Sequence, residues 1–594
     1  MRRSTDTRAC PGGWARLRVL LLHPDDTPAS PASSEPLDLV VDCGRAPKST
    51  YDGWRQKTVC PLFSLYQFAQ EVEDLHVLRR LLQLGTGHLV DRGGIDWWDV
   101  LSLEIALQLQ QLMLVRRLAK ELGSSCELYA SRPHPLATAL QKLLGVRLTI
   151  LQSRSQSVLH QVRHYQEAFS HLDTAQLAQV LEDKFDGNHS FRRRFTRRPQ
   201  TSGEPVILVP SAYINVSRAA LAYAEMIPDH KFLLVHTRSN AKLACPANVR
   251  SASLTPYFVP GDKRESACLT ELWDILRKRL VSDAEEYKMA EAVGLLAQIP
   301  SLLRWGLALR DAWGQVFESE NVTACLCADD SNPPSNIPLT MAKKRGLPAL
   351  ACHHGALNYH MAIKTNYADL YLVKNEMERD YLRRICNVAA EKTVIAPPPL
   401  SKPHPAQRVA RHTAPWMVFF TEPYQSNGWR SEEVYRDLLP RLCALAQACG
   451  LRLVFKLHPF DSIRGHRKIL RRFVPEREPQ IEVLAGPPSD QLLHQTRLAL
   501  TVQSSTALQC AALGIPVFLC AWLRDPYSGY IQQFARFGVG HVLESPEQIS
   551  EIPRLLESQM QWSFRKQTIP ATVDLGELTN LFSGTYSLPA TSSA

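Results

Sequence analysis

Short apolar runs alternate along this chain with amphipathic stretches that end near a glycine, and this alternation restricts the fold more than any other feature. One unit has an apolar run at Cys126–Ala130, a proline-containing turn, an amphipathic stretch over 136–144 stopped by Gly145, and a further run from Leu148. Strands that alternate with helices predict parallel sheets covered by helices. The chain is therefore predicted to belong to the α/β class.

A proline-rich segment separates two sets of these units. Residues 397–415 hold six prolines and little apolar sequence, and proline stiffens a linker and cannot continue a sheet. We predict an N-terminal α/β domain over residues 1–396 with helical and basic-loop insertions, a linker over 397–415, and a C-terminal α/β domain over 416–594. The C-terminal strands are predicted at residues 416–420, 451–456, 481–484, 498–502 and 516–519.

The predicted fold is therefore a pair of doubly wound, Rossmann-like domains that face each other across a cleft. In open α/β sheets, ligands bind outside the carboxyl ends of the strands, so polar residues that follow strands are candidate site residues. The sequence has neither a GxGxxG motif opening a helix nor a Walker-type lysine loop. This disfavours dehydrogenases and P-loop ATPases.

Composition and net charge exclude further classes of protein and of ligand. Of 594 residues, 45% are hydrophobic and 21% are charged, which is typical of a folded protein and excludes a largely disordered chain. Lysine and arginine number 68 against 58 acidic residues, a net charge of +10. This excess suits phosphate-bearing molecules or anionic lipid, whereas nucleic acid is disfavoured because no basic-aromatic interleaving accompanies the charge.

The cellular location is predicted from what the chain lacks. No apolar run approaches the ~18–20 residues of a transmembrane helix, and the early run Val19–Leu22 is too short for a signal peptide. The 14 cysteines are scattered without metal-ligand spacing, which predicts reduced thiols and a cytoplasmic protein. Five arginines within residues 192–198 form either a solvated loop or a contact with an anionic membrane surface.

The strongest local signal is a hydroxyl-rich turn between a predicted strand and a predicted helix. Gln503, Ser504, Ser505 and Thr506 follow an apolar run that ends at Val502. Backbone N–H groups and hydroxyls at such a turn can converge on an anion. The turn is predicted to bind phosphate, the alternative being an ordinary helix cap.

A second candidate is His458, which follows the predicted strand over 451–456 and precedes Pro459. Proline ends the strand and turns the chain, leaving the histidine at the cleft mouth. An imidazole there can donate to a phosphate or protonate a leaving group.

Further candidates follow strands of the first domain. His353, His354 and Gly355 come after an apolar run, and one of these histidines is a candidate general base. Acidic residues on neighbouring loops are alternatives for this role, although each also suits a helix cap or a solvated turn. These acidic candidates are Asp329, Asp330, Asp25 and Asp26, and Glu422 at the linker edge is a further cleft residue that equally suits a surface turn.

The motifs resemble a known family. The sequence Lys456-Leu457-His458-Pro459, the turn Gln503-Ser504-Ser505 and the segment 511–517 resemble the C-terminal domain of GT-B-fold glycosyltransferases of bacterial surface-polysaccharide synthesis. Capsule Kdo transferases, bacterial sialyltransferases and teichoic-acid glycerophosphotransferases carry similar motifs. The resemblance covers residues 329–557, and it departs from the Kdo and sialyl enzymes at Gln509 and Cys510, where those enzymes usually have an acidic residue.

The resemblance implies roles for the motif residues. His458 and the turn Gln503–Thr506 would hold the phosphates of a nucleotide-activated donor in the C-terminal domain. The pair His354-Gly355 is similar to a base-bearing pair of the glycerophosphotransferases, which places the acceptor in the N-terminal domain.

The function predicted on this basis is metal-independent transfer of a sugar, by direct displacement and without a cofactor, to a surface-polysaccharide or glycolipid acceptor. The expected location is cytoplasmic, with peripheral contact at the inner membrane face and no nucleic-acid partner. Three alternatives stay open: a CDP-glycerol-type glycerophosphotransferase, a nucleotide-sugar 2-epimerase and a non-catalytic glycan-assembly partner.

Overall fold

The predicted α/β class is confirmed by a computed structural model of the chain, in which the described strands form three open sheets that are parallel throughout. The described residues are 17–22, 38–42, 58–61, 68–130, 133–151, 203–212, 214–237, 244–259, 261–353, 355, 367–397, 414–422, 431–458, 461–486, 488–523, 530–557 and 575–583.

The N-terminal sheet has five strands in the order β3-β2-β1-β4-β5. The helix predicted over 136–144 is present between the last two of these strands. Pro135 occupies its first turn, the His134 ring accepts a hydrogen bond from Ala137 N–H, and Gly145 ends the helix at φ 67°. The strands are β1 Leu17–Leu22, β2 Leu39–Asp42, β3 Thr58–Pro61, β4 Cys126–Ala130 and β5 Leu148–Ile150; the helices are α1 Phe68–Gln83, α2 Trp97–Val100, α3 Ser102–Leu122 and α4 Pro135–Leu144.

The second sheet has seven strands in the order β12-β11-β10-β9-β6-β7-β8. Its central strands are buried at almost every position because helices cover both faces, which explains their continuous apolar runs. The strands are β6 Val206–Ser211, β7 Phe232–His236, β8 Val249–Ser253, β9 Val322–Cys327, β10 Ala349–Cys352, β11 Leu370–Val373 and β12 Thr393–Ile395; the helices are α5 Ile214–Met226, α6 Lys263–Asp283, α7 Glu285–Ala292, α8 Ile299–Ser319, α9 Pro333–Lys344 and α10 Glu376–Arg384.

The third sheet has six strands in the order β15-β14-β13-β16-β17-β18. The strands are β13 Trp416–Phe420, β14 Arg452–Lys456, β15 Glu482–Leu484, β16 Thr496–Thr501, β17 Val517–Cys520 and β18 His541–Leu543; the helices are α11 Ser431–Ala448, α12 Ile463–Phe473, α13 Asp490–Gln495, α14 Thr506–Ala512, α15 Tyr530–Arg536, α16 Ile552–Glu557 and α17 Leu575–Ser583.

Among the described residues, those of the range 1–396 form two sheets, of five and seven strands, and those of the range 416–594 form one. The second and third sheets are the open parallel sheets of the predicted fold, and the five-stranded sheet is an addition to it. The chain passes from the second to the third between β12 and β13, where the linker is predicted; residues 398–413 of that linker lie outside the described residues.

Each sheet with its helices is called a unit below. Tryptophans and an ion network join the five-stranded-sheet unit to the seven-stranded-sheet unit. Trp98 stacks on Trp273 of α6 with ring centroids 6.3 Å apart. Arg310 of α8 donates to the carboxylates of Asp91 and Glu265 at 2.7 Å. Because each buried charge in this network has a hydrogen-bonded partner of opposite sign, the network is compatible with burial.

Contacts between the seven-stranded-sheet unit and the six-stranded-sheet unit involve helices α15 and α17. Gln533 of α15 is 1% exposed; it donates to Met377 O and to Asp380 at 2.8 Å, and it accepts from Arg384 at 2.9 Å. The C-terminal helix α17 packs onto the seven-stranded sheet, with Phe582 edge-on to Phe232. The Gln533 hydrogen bonds hold helix α10 of one unit against helix α15 of the other.

Within the described residues, no single helix is both long and apolar enough to cross a membrane. One helix pair, Glu285–Ala292 with Leu295–Ser319, meets the length and composition criteria together but is bent by 78°. The described cysteines carry free thiols, and Cys325 and Cys327 are buried in β9.

Candidate functional site

The strand order of the third sheet creates a switch point between β13 and β16. From β13 the chain adds β14 and β15 on one side, and then returns to add β16, β17 and β18 on the other. Phe420, the last residue of β13, pairs in register with Lys456 of β14 and with Thr501 of β16. The loops after these three strands therefore start at the same level, at the edge where open α/β sheets bind ligands.

The hydroxyl-rich turn lies at this edge, as predicted, but several of its groups bond to one another. Ser504 N–H donates to the Thr501 hydroxyl at 3.3 Å, and the Ser504 hydroxyl donates to Thr506 Oγ1 at 3.1 Å. Ser505 precedes helix α14 without a side-chain cap hydrogen bond. No hydrogen bond to another described residue occupies the Ser505 hydroxyl or its N–H, so Ser505 is the member of the turn most open to a ligand.

Glu422 also contacts this turn. Its carboxylate accepts a hydrogen bond from Gln503 N–H at 3.3 Å. The Gln503 N–H is therefore already occupied, and Glu422 holds the turn against the end of β13. The Gln503 side-chain oxygen is buried without a hydrogen bond from any described residue, which leaves a buried acceptor at the switch point.

The loop that carries His458 is fixed at both ends. His458 N–H donates to the Thr421 hydroxyl at 2.9 Å, and the His458 carbonyl accepts from Asp461 N–H at 2.9 Å. The next helix, α12, is capped by Ser462, whose hydroxyl accepts from Gly465 N–H at 3.0 Å. These bonds place His458 next to the loop after β13, one strand away from the serine turn.

A second polar cluster lies at the carboxyl edge of the seven-stranded sheet. Asp330, fully buried after β9, accepts a hydrogen bond from the Tyr371 hydroxyl at 3.1 Å, and His353 Nε2 lies 3.5 Å from the other Asp330 oxygen. The His353 ring stacks on Tyr371 with centroids 6.0 Å apart. Burial, reinforced by the Asp330 carboxylate, raises the pKa of Tyr371 well above its usual value, so this hydroxyl stays a donor.

This second cluster also lies at a switch point. The chain builds β6, β7 and β8 in one direction, and then places β9 on the other side of β6. Asp329, beside Asp330, has a different role: its carboxylate accepts from Ser331 N–H at 3.0 Å and from the Asn332 amide at 2.6 Å. Asp329 is therefore a turn residue, whereas Asp330 belongs to the imidazole-carboxylate cluster.

Of the remaining predicted site residues, only some lie within the described part of the chain. Gly355 O accepts from the Lys374 ammonium at 2.7 Å, and Lys374 also pairs with Glu378 at 2.9 Å. The predicted base His354, the acidic pair Asp25 and Asp26, and the arginine cluster at 192–198 lie outside the described residues. Their roles stay predictions.

The structure adds residues to which the sequence assigned no role. Thr421 joins the His458 loop to β13, Tyr371 joins Asp330 to His353, and Lys456 is a buried cation at the end of β14. For Lys456 a signal was present, since a lysine ends an otherwise apolar strand immediately before the His-Pro pair. The contacts of Thr421 and Tyr371 depend on strand order and carried no local signal.

Within the described part of the chain, no group of three or more His, Cys, Asp or Glu side chains has an arrangement that could hold a metal ion. The groups described at the two switch points are hydroxyls, imidazoles, carboxylates and one lysine. This set can bind an anion and move a proton.

Comparison with known proteins gives fold similarity only. No protein-family model matches the chain, and no curated protein sequence is significantly similar to it. Among solved structures, the wall teichoic acid polymerase TagF is 12% identical, with 70% of this chain and 97% of that chain covered and a TM-score of 0.38.

Two further solved structures are similar at the same level. MurG of Acinetobacter baumannii is 11% identical, covering 64% of this chain and 99% of that chain, with a TM-score of 0.38. The UDP-GlcNAc 2-epimerase of Methanocaldococcus jannaschii is 11% identical, covering 64% of this chain and 98% of that chain, with a TM-score of 0.36. Similarity at this level does not determine activity.

Proposed function

We propose that this protein is a GT-B-type glycosyltransferase that moves a sugar from a nucleotide-activated donor to a surface-polysaccharide or glycolipid acceptor, without a metal ion. The observation that carries the proposal is the arrangement at the carboxyl edge of β13, β14 and β16. There, the Thr421 hydroxyl accepts from His458 N–H and the Glu422 carboxylate accepts from Gln503 N–H, which holds the His458 loop and the serine turn on either side of the end of β13. Imidazole and hydroxyl donors at a switch point suit a phosphate group.

On the donor side, the departing nucleotide phosphate acquires negative charge as the sugar leaves. Hydrogen-bond donors that are already in place stabilise this charge without reorganising. His458 and the hydroxyl of Ser505 supply such donors, and the internal bonds of Ser504 and Thr506 keep the turn rigid.

On the acceptor side, a base removes the proton from the attacking hydroxyl. The pair His353 and Asp330 suits this role, because a carboxylate beside an imidazole orients the ring and stabilises its protonated form. This assignment moves the base from the predicted His354 to its neighbour, with Asp330 as the orienting group.

The test is nucleotide release from a panel of CMP-, CDP- and UDP-activated donors, measured with and without glycan acceptors. We expect His458→Ala to lower release by at least 100-fold while the circular dichroism spectrum stays unchanged. His494→Ala, which removes a half-buried histidine of α13 in the same unit, is the matched control and should keep full activity. Unchanged turnover in His458→Ala would contradict the proposal.

The same panel, together with a double variant tested in cells, separates the alternatives. An epimerase converts the donor sugar with no acceptor present, and a glycerophosphotransferase transfers glycerol phosphate from CDP-glycerol. A non-catalytic assembly partner retains its function in cells when His354 and His458 are both replaced by alanine. Acceptor-dependent sugar transfer excludes all three.

A further inference from the structure

Helix α12 of the six-stranded-sheet unit is strongly basic. Residues Ile463–Phe473 include five lysines and arginines and no acidic residue. Arg467 is turned toward its own unit, where it donates to the Glu478 carboxylate at 2.9 Å. The other four cations are exposed, and they are Arg464, Lys468, Arg471 and Arg472.

These four cations lie on one side of the helix, called the basic face below. Their spacing of i, i+4, i+7 and i+8 places them together, whereas His466 and Leu470 are buried on the opposite side. With a rise of about 1.5 Å per residue, the basic face is about 12 Å long. It forms a positive surface on the outside of the unit.

The charges of the basic face repel one another. Arg464 and Lys468, and likewise Lys468 and Arg472, are four positions apart, a spacing at which like charges destabilise a helix. Arg464 also lies in the first turn, where the helix dipole disfavours a cation, and it forms no ion pair with a described residue. Arg471 Nε is 3.7 Å from Glu478 Oε2, and 70% of the Arg471 side chain is exposed.

Two other basic helices of the molecule balance cations locally. Arg279 of α6 lies four positions from Asp283, and Arg384 of α10 lies four positions from Asp380, with 3.4 Å between the charged groups in each pair. Helix α12 has no acidic residue with which to form such a pair. An external negative surface would therefore offset the repulsion along its basic face.

The shape of the basic face suits a surface better than a small ligand. A small ligand needs a concave site, whereas these cations project from the outside of a helix. Clusters of four or more lysines and arginines on a helix are typical of binding to anionic lipid headgroups. Ile463, beside Arg464, is 44% exposed, so this end of the helix also offers an apolar side chain to the headgroup region.

We propose that the basic face of α12 binds the surface of a membrane that contains anionic lipid. Because the apolar side of α12 is already buried in its own unit, the contact is electrostatic and peripheral. Helix α12 directly follows the loop that carries His458, so its first turn brings the ligand-binding edge of the six-stranded sheet near lipid. This inference goes beyond the proposed function and does not depend on sugar transfer.

The test is co-sedimentation of the full chain with vesicles of phosphatidylglycerol and phosphatidylcholine in equal parts, and with vesicles of phosphatidylcholine alone. We expect binding to the anionic vesicles, no binding to the neutral ones, and a loss of binding as salt screens the charges. Arg464→Gln combined with Arg471→Gln should weaken binding roughly 25-fold, since each cation near an anionic surface contributes a factor of roughly five. The melting temperature of this double variant should equal or exceed that of the wild type, because like-charge repulsion falls.

Arg441→Gln combined with Arg554→Gln is the matched control. It removes the same charge from exposed positions of α11 and α16 in the same unit, where both arginines pair with carboxylates, and it should bind vesicles as the wild type does. Equal binding by the two double variants would assign the attachment to another surface, such as residues 192–198, and overturn the inference.

Two further outcomes would overturn it. One is failure of the wild type to bind anionic vesicles, and the other is binding of soluble polyphosphate without binding of vesicles. Sugar transfer is assayed separately on a soluble acceptor, so vesicle binding without transfer would contradict the proposed function alone, and transfer without vesicle binding would contradict this inference alone.

Discussion

The imidazole of His466 is completely buried against the carboxylate of Asp461, with Nε2 3.4 Å from Oδ2. Asp461 N–H in turn donates to the carbonyl of His458. A buried pair, with His466 on helix α12 and Asp461 just before that helix, thus supports the loop that presents the histidine of the proposed donor site. Because the described contact of the pair with His458 is through the His458 backbone carbonyl, the pair positions the loop and takes no part in the proposed chemistry.

Stability should fall in acid partly through His466. Burial lowers the pKa of His466 from 6.5 to about 3, so below pH 6.5 the unfolded chain binds a proton that the folded chain does not. Between pH 6.5 and 5 this costs about 2 kcal/mol of unfolding free energy. We expect the stability of His466→Gln to depend less on pH over this interval, measured by urea unfolding. An equal fall in the unfolding free energy of the wild type and of His466→Gln over this pH interval would contradict the prediction.

Replacement of Asp330 should reduce turnover without unfolding the protein. Asp330→Asn keeps the shape and an acceptor for Tyr371 but removes the charge beside His353, so kcat should fall by roughly 100-fold or more with little change in KM. Asp329→Asn is the matched control, because asparagine suits the same turn, and it should retain activity. Equal activity of both variants would remove Asp330 from the mechanism.

The contact between α10 and α15 should depend on Gln533. Gln533→Leu removes three hydrogen bonds from a buried interface and leaves their partners short of contacts, which costs about 1–3 kcal/mol. We expect faster amide hydrogen exchange in both helices. Gln532→Leu removes a neighbouring amide whose buried oxygen has no partner among the described residues, and exchange there should stay as in the wild type. Equal protection in the two variants would show that Gln533 does not secure this contact.

The stability difference between Lys456→Met and the wild type should shrink at high pH. The pKa of Lys456 falls from 10.5 to about 8 on folding, so between these values the unfolded chain holds a proton that the folded chain has lost, and wild-type stability gains with rising pH. Below pH 8 the penalty is fully present, about 3 kcal/mol. Melting curves from pH 7 to 10 measure the difference, and a constant gap would contradict the linkage.

Gly306 should tolerate no side chain. A Cβ built on Gly306 in α8 would lie 2.2 Å from a ring carbon of Trp97, which is itself completely buried. Gly306→Ala should therefore destabilise the protein by about 1–3 kcal/mol or more. Gly314→Ala in the same helix meets its nearest atom at 3.8 Å and should be neutral or slightly stabilising. Thermal unfolding of the two variants tests the contrast, and equal melting temperatures would refute it.

The hydrophobic pattern of the sequence was sufficient to predict the buried strands. The predicted strands over 416–420, 451–456 and 516–519 match β13, β14 and β17 to within one residue, because continuous apolar runs bounded by turns are typical of buried parallel strands. Edge strands carried less signal: β8 is half exposed and polar, and it was not predicted. The division of the N-terminal range into two sheets was also missed, because periodicity does not encode which strands pair.

One prediction of a helix start, near the end of the third sheet, was wrong. Ser545-Pro546-Glu547-Gln548 predicts a capping box that opens an α-helix. The structure instead has a 3₁₀ segment, Pro546–Glu551, whose Ser545 makes no side-chain cap hydrogen bond. Gln548 does reach back as such a box requires, but its amide oxygen accepts from Glu544 N–H at 2.6 Å.

The sequence by itself determined the α/β class, the main strands and the loops that carry the candidate polar residues, because these follow from hydrophobic periodicity and turn chemistry over a few residues. The tertiary structure alone decided which groups meet. Glu422 contacts Gln503 across 81 positions, and Tyr371 contacts Asp330 across 41. Those distances close only through the order of strands in each sheet, and that order is fixed by packing of the whole chain.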